Sequence, residues 1–394
     1  MLASPQFCSW GIKMTALLHD ISARKKDFWA DVSKIDDFTL EPGSTVAHET
    51  VLRAPEWSLY CLDLEQDKAL FVELPKGTDL AEAAFVYNAQ FDTALRAVTM
   101  PLDTMIAMAR HIPDTTKLAL LFSTGRCGST LASRILARLP NVWSLSEPDY
   151  FTNLALARFT LDPARTAALI AAATRLTCRP PAGRQIDTVV IKPRSEAIMQ
   201  ADCYVQAMPK ARNVFLYRDL EGYTASIYKF VQRIMGEEAF FSSIESWRAD
   251  WPIISVNASL SLIDDYFGSD RGEISWAEVV VIAWDIRIEA YLAAVQHGSP
   301  FTALHYTDLN SDRRTGTARL LAGCGIPASN LDLALQGFER DSQAGSGVEK
   351  SVPAREMTDT DRANIHAVLR RLGKTDFLNT RLPDSTPGRR GGAL

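Results

Sequence analysis

Cysteine pairs and metal-binding patterns are missing from this sequence. Its 394 residues include only six cysteines, which are scattered along the chain with no C-x-x-C pair and no spacing typical of a zinc site. This pattern excludes a disulfide-stapled secreted domain and indicates thiols that are reduced and mostly buried. We therefore expect a cytoplasmic protein that uses no metal.

The sequence also lacks long apolar runs and a strong charge of either sign. No segment approaches the roughly 18 apolar residues of a membrane span, and the start of the chain has no pattern of a secretory signal. The formal net charge is −5, so no general basic field attracts nucleic acid. If the protein binds a polyanion, it must use a local cluster of cations.

The composition is otherwise that of a globular protein with a sizeable core. Apolar residues make up 47% of the chain, and its 21 glycines and 19 prolines exclude collagen, a coiled coil and wholesale disorder. Short apolar runs separated by helical patterns follow residue 112, and they predict buried parallel strands with helical crossovers. The strands are expected at 117–123, 188–192, 213–217 and 301–306, and a long helix at 274–297.

The first 112 residues have a different pattern. Residues 1–47 are weakly patterned, three strands with a hairpin turn are predicted within 49–74, and apolar spacing predicts a helix over 79–111. We expect an α/β fold whose central parallel sheet is flanked by helices and preceded by an N-terminal α+β segment.

A glycine loop follows the first buried strand, in KLALLFSTGRCGSTLASRIL. Gly125 and Gly128 form the turn, and Ser129 and Thr130 open the next helix, so several backbone N–H groups can face one anion. The loop differs from the nucleotide-triphosphatase pattern G-x-x-x-x-G-K-[ST], because Arg126 lies inside the turn and no lysine precedes the serine. An ordinary turn before a capped helix is the alternative.

A second candidate anion site lies in NVFLYRDLEGYTASIYKF. Arg218 ends a strand, at the edge where open α/β sheets bind ligands, and Ser226 follows eight residues later in the next helix. A surface ion pair and a solvated serine are the alternatives.

These motifs resemble the family of sulfotransferases that use 3′-phosphoadenosine 5′-phosphosulfate (PAPS). Carbohydrate and tyrosylprotein members have R-x-G-[ST]-[ST] in the loop that binds the 5′-phosphosulfate, and the Arg and Ser pair holds the 3′-phosphate. A third string, HYTDL at 305–309, resembles the family's Y-E-D-L and is interpreted as architectural. The resemblance covers about residues 117–310 and implies a P-loop-type domain that binds PAPS without metal. It assigns donor binding to Thr124, Gly125, Arg126, Cys127, Gly128, Ser129, Thr130, Arg218, Ser226, Ser346 and Lys350.

The same resemblance implies three catalytic roles. Glu147, in the strand-like segment VWSLSEPDYF (142–151), would accept the proton of the acceptor, with Asp149 as the second choice. Lys192 would bind the transferred sulfuryl oxygens, and Arg126 the leaving phosphate. The helix dipole is expected to lower the pKa of Cys127, which is interpreted as a small spacer.

The predicted function is therefore sulfuryl transfer to a hydroxyl or amine of a small-molecule, glycan or lipid acceptor. The alternatives are an ATP-dependent kinase or NTPase with a degenerate P-loop, and a nucleotide-binding protein of this fold without turnover. We expect residues 1–112 to shape the acceptor site, residues 113–380 to form the sulfotransferase-like domain and residues 381–394 to be a disordered tail.

Overall fold

The computed structural model describes residues 15–113, 116–180, 183–235, 276–339, 356–375 and 381–384. Two sheets organise them, an antiparallel sheet near the N-terminus and a parallel sheet after it. This arrangement confirms the predicted fold class.

The antiparallel sheet has six strands in the order β2-β1-β6-β5-β4, with β3 paired to β1. The strands are β1 (Thr15–Arg24), β2 (Phe38–Leu40), β3 (Ser44–Ala47), β4 (Trp57–Asp63), β5 (Lys68–Glu73) and β6 (Arg96–Pro101). Three helices accompany them, α1 (Thr50–Arg53), α2 (Val86–Thr93) and α3 (Leu102–Ala109).

Two predictions in this region are wrong. Residues 50–53 form a helical turn instead of the first of three strands, and the predicted helix over 79–111 contains β6 between α2 and α3. Strand β6 pairs with both β1 and β5 in the interior of the sheet. Pairing with strands distant in sequence therefore overrides the local helical spacing, as is common for strands.

The parallel sheet has the order β11-β10-β7-β9-β8. Alternate residues of its central strands belong to different apolar clusters on the two faces; Leu120 and Phe122 lie in one, and Ala119 and Leu121 in the other. Burial of both faces explains why these strands read as continuous apolar runs. The strands are β7 (Lys117–Ser123), β8 (Val142–Ser146), β9 (Thr188–Lys192), β10 (Arg212–Tyr217) and β11 (Thr302–His305).

Helices cover both faces of this sheet, and short 3₁₀ turns at Ile35–Asp37, Ser195–Gln200, Ala328–Asn330 and Gln336–Glu339 complete the elements. The helices are α4 (Ser129–Ala137), α5 (Tyr150–Leu156), α6 (Pro163–Thr177), α7 (Ala201–Ala207), α8 (Leu220–Met235), α9 (Trp276–Gln296), α10 (Tyr306–Ser311), α11 (Arg313–Gly323), α12 (Leu331–Leu335) and α13 (Asp359–Arg371). None of the helices in the described part of the chain is long and apolar enough to cross a membrane.

The strand order places two loops side by side at the carboxyl edge of the parallel sheet. The chain runs from β7 to β8 and β9 on one side, and then crosses to β10 and β11 on the other. The loops after β7 and β10 therefore meet where the strand order reverses, and open α/β sheets bind ligands at such a point.

The antiparallel sheet is attached to the parallel one through a shared core and polar anchors. One apolar cluster contains residues of both sheets. Asn153 on α5 accepts a hydrogen bond from the Leu62 backbone N–H at 3.0 Å, and its side-chain amide donates to the Ser33 carbonyl at 3.0 Å. These contacts hold the N-terminal segment against the carboxyl edge of the parallel sheet.

The first residues of the predicted tail lie against the parallel sheet. Leu382 is buried and its backbone N–H donates to the Tyr217 hydroxyl at 2.9 Å, while Asp384 accepts from the Ala303 N–H at 2.7 Å. Residues 385–394 lie outside the described residues.

Candidate functional site

The turn between β7 and α4 has an unusual backbone. Gly125, Arg126 and Gly128 all have positive φ, at 78°, 51° and 78°. A Cβ atom at position 128 would lie 2.8 Å from a ring carbon of Tyr306, so glycine is required there for space as well as for conformation. Helix α4 begins at Ser129, and its first N–H groups have no partner within the helix. The turn can therefore offer backbone donors to an anion.

The Arg126 side chain joins this turn to helix α8. Its Nε donates to the Ser226 hydroxyl at 3.1 Å, and its guanidinium lies 4.9 Å from the centre of the Phe230 ring. Two residues that the sequence analysis assigned to separate motifs, 100 positions apart, are thus in direct contact.

Arg218 follows β10 and lies against α8 and α10. Its guanidinium stacks 4.4 Å above the Tyr306 ring, and its Nε is buried without a hydrogen-bond partner. A Cβ atom at position 222 would clash with this nitrogen, so Gly222 permits the close approach. A buried N–H without an acceptor is costly, and an anionic ligand would offset that cost.

Glu147 follows β8 in a strained conformation. Its φ is 57°, although the residue before a proline normally adopts an extended backbone, and here Pro148 follows. Its backbone N–H donates to the Lys192 carbonyl at 2.6 Å, and its carboxylate accepts a hydrogen bond from Lys192 Nζ. Lys192 also donates to the Ser146 hydroxyl at 3.2 Å. Backbone strain of this kind is concentrated at functional sites.

Asp149, the second choice for the base, has a different environment. It is fully buried and accepts two hydrogen bonds from Arg194, at 2.7 and 2.9 Å, and one from the Ser33 N–H at 2.8 Å. Arg194 also donates to the Ala30 carbonyl at 2.8 Å. Asp149 therefore connects the two sheets and does not line the cavity described next.

These elements surround a cavity of about 580 Å³, within the usual range for small-molecule sites. Nine of the sequence-predicted residues lie on its wall: Thr124, Gly125, Arg126, Gly128, Ser129, Thr130, Glu147, Arg218 and Ser226.

Two predicted residues that the structure describes, Lys192 and Cys127, are not on this wall. Lys192 lies behind Glu147 with 2% of its side chain exposed, and Cys127 is buried with its thiol 3.3 Å from the Leu216 carbonyl oxygen. Burial raises the pKa of Cys127, so the expected lowering by the helix dipole is wrong. Ser346 and Lys350 lie outside the described residues.

The sequence analysis missed a buried ion pair on the cavity wall. Arg287 on α9 donates to the Glu196 carboxylate at 2.6 Å, and the Ser195 hydroxyl donates to the same oxygen at 2.9 Å. Burial acts to raise the pKa of Glu196, but the Arg287 guanidinium keeps it below its ordinary value. The only sequence signal was the position of residues 195 and 196 shortly after β9.

It also missed an aromatic wall supplied by the loop after β1 and the start of α2. Trp29 and Phe85 stack with ring centres 5.9 Å apart, and Phe85 and Tyr87 with centres 5.6 Å apart. Phe85 lies 5.7 Å from Lys192 Nζ, and the Arg194 guanidinium lies 4.3 Å from the Tyr87 ring. The wall therefore borders Glu147 and its ion pair.

Tyr306, which the sequence analysis interpreted as architectural, also lines the cavity. Five arginines and three glutamates lie on the wall, so a positive excess is concentrated here in an acidic chain. Such a local field can hold an anion that the net charge of the protein would repel. Among the described residues, no group of three or more His, Cys, Asp or Glu could hold a metal ion. The charged wall residues are Arg126, Arg194, Arg218, Arg287, Arg313, Glu147, Glu196 and Glu339.

Comparisons with known proteins give distant likenesses only. No model of a protein family matches the sequence, and no curated protein matches it. Among solved structures, the chain is similar to the crystal structure of a sulfotransferase from Alicyclobacillus acidocaldarius, with a TM-score of 0.40 and 13% identity, over 66% of this chain and 94% of that chain. It is also similar to the sulfotransferase domain from the curacin biosynthetic pathway, with a TM-score of 0.34 and 13% identity, over 66% of this chain and 98% of that one.

Proposed function

We propose that the protein transfers the sulfuryl group of PAPS to a hydroxyl or amine of an acceptor. The observation that carries this proposal is the 3.1 Å contact between Arg126 and Ser226, on the wall of the cavity that Arg218 also lines. The two motifs that resemble the donor-binding strings of PAPS-dependent sulfotransferases thus converge on one cavity.

The residues of the cavity fit an adenosine nucleotide with two separate anionic groups. The backbone turn at Gly125–Gly128 and the start of α4 would hold the 5′-phosphosulfate. Arg218 and Ser226 would hold the 3′-phosphate, which would supply an acceptor for the buried Arg218 Nε. Arginine binds phosphate through planar, charge-assisted hydrogen bonds, and this binding needs no metal.

The chemistry then requires a base and a group that stabilises the leaving phosphate. Glu147 would take the proton of the acceptor as the acceptor oxygen or nitrogen bonds to sulfur and the bond between sulfur and the leaving phosphate oxygen breaks. Arg126 would offset the negative charge that collects on the leaving 3′,5′-ADP. Lys192 would orient Glu147 through their hydrogen bond, and it would contact sulfuryl oxygens only after it exchanges that partner.

The N-terminal segment would supply the acceptor side of the cavity. Trp29, Phe85 and Tyr87 form an apolar wall beside Glu147, whereas Tyr306 is stacked on the Arg218 guanidinium. An acceptor would place its apolar part on these rings and its nucleophilic group next to the carboxylate.

The test is transfer of label from [³⁵S]PAPS to acceptors in a metabolite extract, in the presence of EDTA. We expect a labelled product, together with thermal stabilisation by 3′,5′-ADP without Mg²⁺. Stabilisation by 3′,5′-ADP without any transfer would indicate a protein that binds the nucleotide but does not catalyse transfer. Stabilisation by ATP with Mg²⁺ and none by 3′,5′-ADP would indicate a kinase or NTPase.

A further inference from the structure

A second cavity, of about 400 Å³, lies between the antiparallel sheet and β8. A thin wall separates it from the first. Phe85 and Glu147 line the first cavity, whereas their neighbours Val86 and Pro148 line the second. None of the residues assigned to the proposed transfer reaction lies on this second wall.

The body of the second cavity is apolar and buried. Trp57 and Trp143 contribute two indole surfaces, and five leucine side chains also line the cavity. A cavity of this size and lining is typical of sites for small organic molecules. The leucines that line it are Leu59, Leu74, Leu80, Leu145 and Leu176.

One polar atom in this apolar body has no partner. Gln90 on α2 is fully buried, and its amide nitrogen donates to the Ser58 hydroxyl and to the Leu59 carbonyl, both at 2.8 Å. Its amide oxygen is buried without a hydrogen-bond partner. Because an unpaired buried acceptor is costly, this oxygen favours a ligand that brings an N–H or O–H donor.

The cavity rim contains a cation without a counter-ion. Arg179 donates to the carbonyls of Val51 and Leu52, at 2.8 and 2.9 Å, and it forms no ion pair with any residue that the structure describes. Burial lowers the pKa of Arg179, and no carboxylate in the described part of the chain opposes this effect. The neighbouring Arg184 differs, because it is paired with Asp79. Lys76, the third cation on this wall, is exposed to water. Arg179 is therefore the rim position at which a ligand anion would gain most.

We infer that the second cavity binds an amphipathic organic anion, with an aromatic or aliphatic body and one acidic group. The body packs between Trp57 and Trp143, the acidic group pairs with Arg179, and a donor on the body meets the oxygen of Gln90. This inference does not depend on the proposed sulfuryl transfer.

The probe for this site is 1-anilinonaphthalene-8-sulfonate, which combines an aromatic body, one N–H donor and one anion. Its neutral counterpart, N-phenyl-1-naphthylamine, lacks the anion. Binding of each is followed by probe fluorescence excited through tryptophan, with the full-length protein. Arg179→Gln should weaken the sulfonate at least about tenfold, the scale for one charged hydrogen bond, and leave the neutral probe unchanged.

Two variants keep the experiment decisive. Arg218→Gln removes a cation from the first cavity and should leave sulfonate binding unchanged. Leu176→Trp fills the second cavity without altering either polar group and should exclude both probes while the protein retains a cooperative melt. The inference fails if Arg218→Gln weakens the sulfonate more than Arg179→Gln does, because the probe then lies in the first cavity. It also fails if Leu176→Trp, with a normal melt, binds both probes as the original chain does.

Discussion

The two halves of the carboxyl edge of the parallel sheet differ in the partners of their basic side chains. Around β8 and β9, three basic side chains each hydrogen-bond to a carboxylate, in the pairs Lys192–Glu147, Arg194–Asp149 and Arg287–Glu196. Around β7 and β10, Arg126 donates to the Ser226 hydroxyl, and Arg218 stacks on Tyr306 with its Nε unpaired.

This difference indicates a division of labour within one cavity. Charges that are already neutralised by partners position side chains and attract no further ion strongly. A guanidinium with an unused buried donor is prepared for an anion that the chain itself does not provide. We therefore expect substitutions of the carboxylate-paired groups to change turnover or folding, and substitution of Arg218 to change nucleotide affinity.

The largest effect is expected for Glu147→Gln. It keeps the shape of the side chain but removes the base, so kcat should fall by about 10²–10⁴-fold while the Kd for 3′,5′-ADP is unchanged. Steady-state assays with [³⁵S]PAPS measure kcat, and calorimetric titration measures the Kd.

Glu339→Gln is the matched control, because it makes the same chemical change on the same cavity wall. If both variants turn over like the original chain, the acceptor needs no base from residue 147.

Asp149→Asn should give the next largest effect, and it should act on folding. Removal of the charge leaves the buried Arg194 without its hydrogen-bonded counter-ion, which costs about 3–5 kcal/mol. Urea unfolding followed by circular dichroism measures this loss. Asp103→Asn, which breaks an exposed pair with Arg165, should cost about 1 kcal/mol or less. Equal losses in the two variants would contradict a structural role for the buried pair.

Arg218→Ala tests the guanidinium whose buried Nε has no hydrogen-bond partner. It should weaken 3′,5′-ADP by about 2–4 kcal/mol, or roughly 30- to 1,000-fold in Kd. Calorimetric titration with 5′-AMP, which lacks the 3′-phosphate, should show hardly any change. If both nucleotides lose the same affinity, Arg218 acts on the shape of the cavity and not on the 3′-phosphate.

Ser226→Ala should have the smallest effect. It removes one hydroxyl, so the loss of affinity for 3′,5′-ADP should be about 0.5–1.5 kcal/mol. Thr224→Val, on the same helix, removes a buried hydroxyl that donates to the Leu220 carbonyl, and it should leave the affinity unchanged. An unchanged affinity for Ser226→Ala would mean that Ser226 only orients Arg126.

The parallel sheet was predictable because its strands carry a local signal. Both faces of β7, β9 and β10 are buried, so each reads as an uninterrupted apolar run without knowledge of its partners. The antiparallel sheet was predicted poorly, since β6 looks helical until it is paired with β1 and β5. Strand preference depends on neighbours more than helix preference does.

The candidate site also has some features that the local sequence predicted and others that it did not. The glycine turn and Arg218 follow directly from strand ends, where backbone geometry demands particular residues. The partners of the charged groups come from distant parts of the chain: Ser33 contacts Asp149, and Arg287 contacts Glu196. No local pattern marks such pairs.

The local sequence therefore determines which residues end the parallel strands, because buried strands and glycine turns can be recognised from short segments of sequence. The local sequence does not determine which of two nearby carboxylates faces the cavity. It also does not determine which side chains form the opposite wall of the cavity. Glu147 and Asp149 are separated by one proline, yet one lines the cavity and the other is sealed against Arg194. That choice is made by the packing of the N-terminal sheet, which brings Ser33 to Asp149 and the rings of Phe85 and Tyr87 to the cavity. Contacts between residues more than a hundred positions apart have no signature in either segment alone.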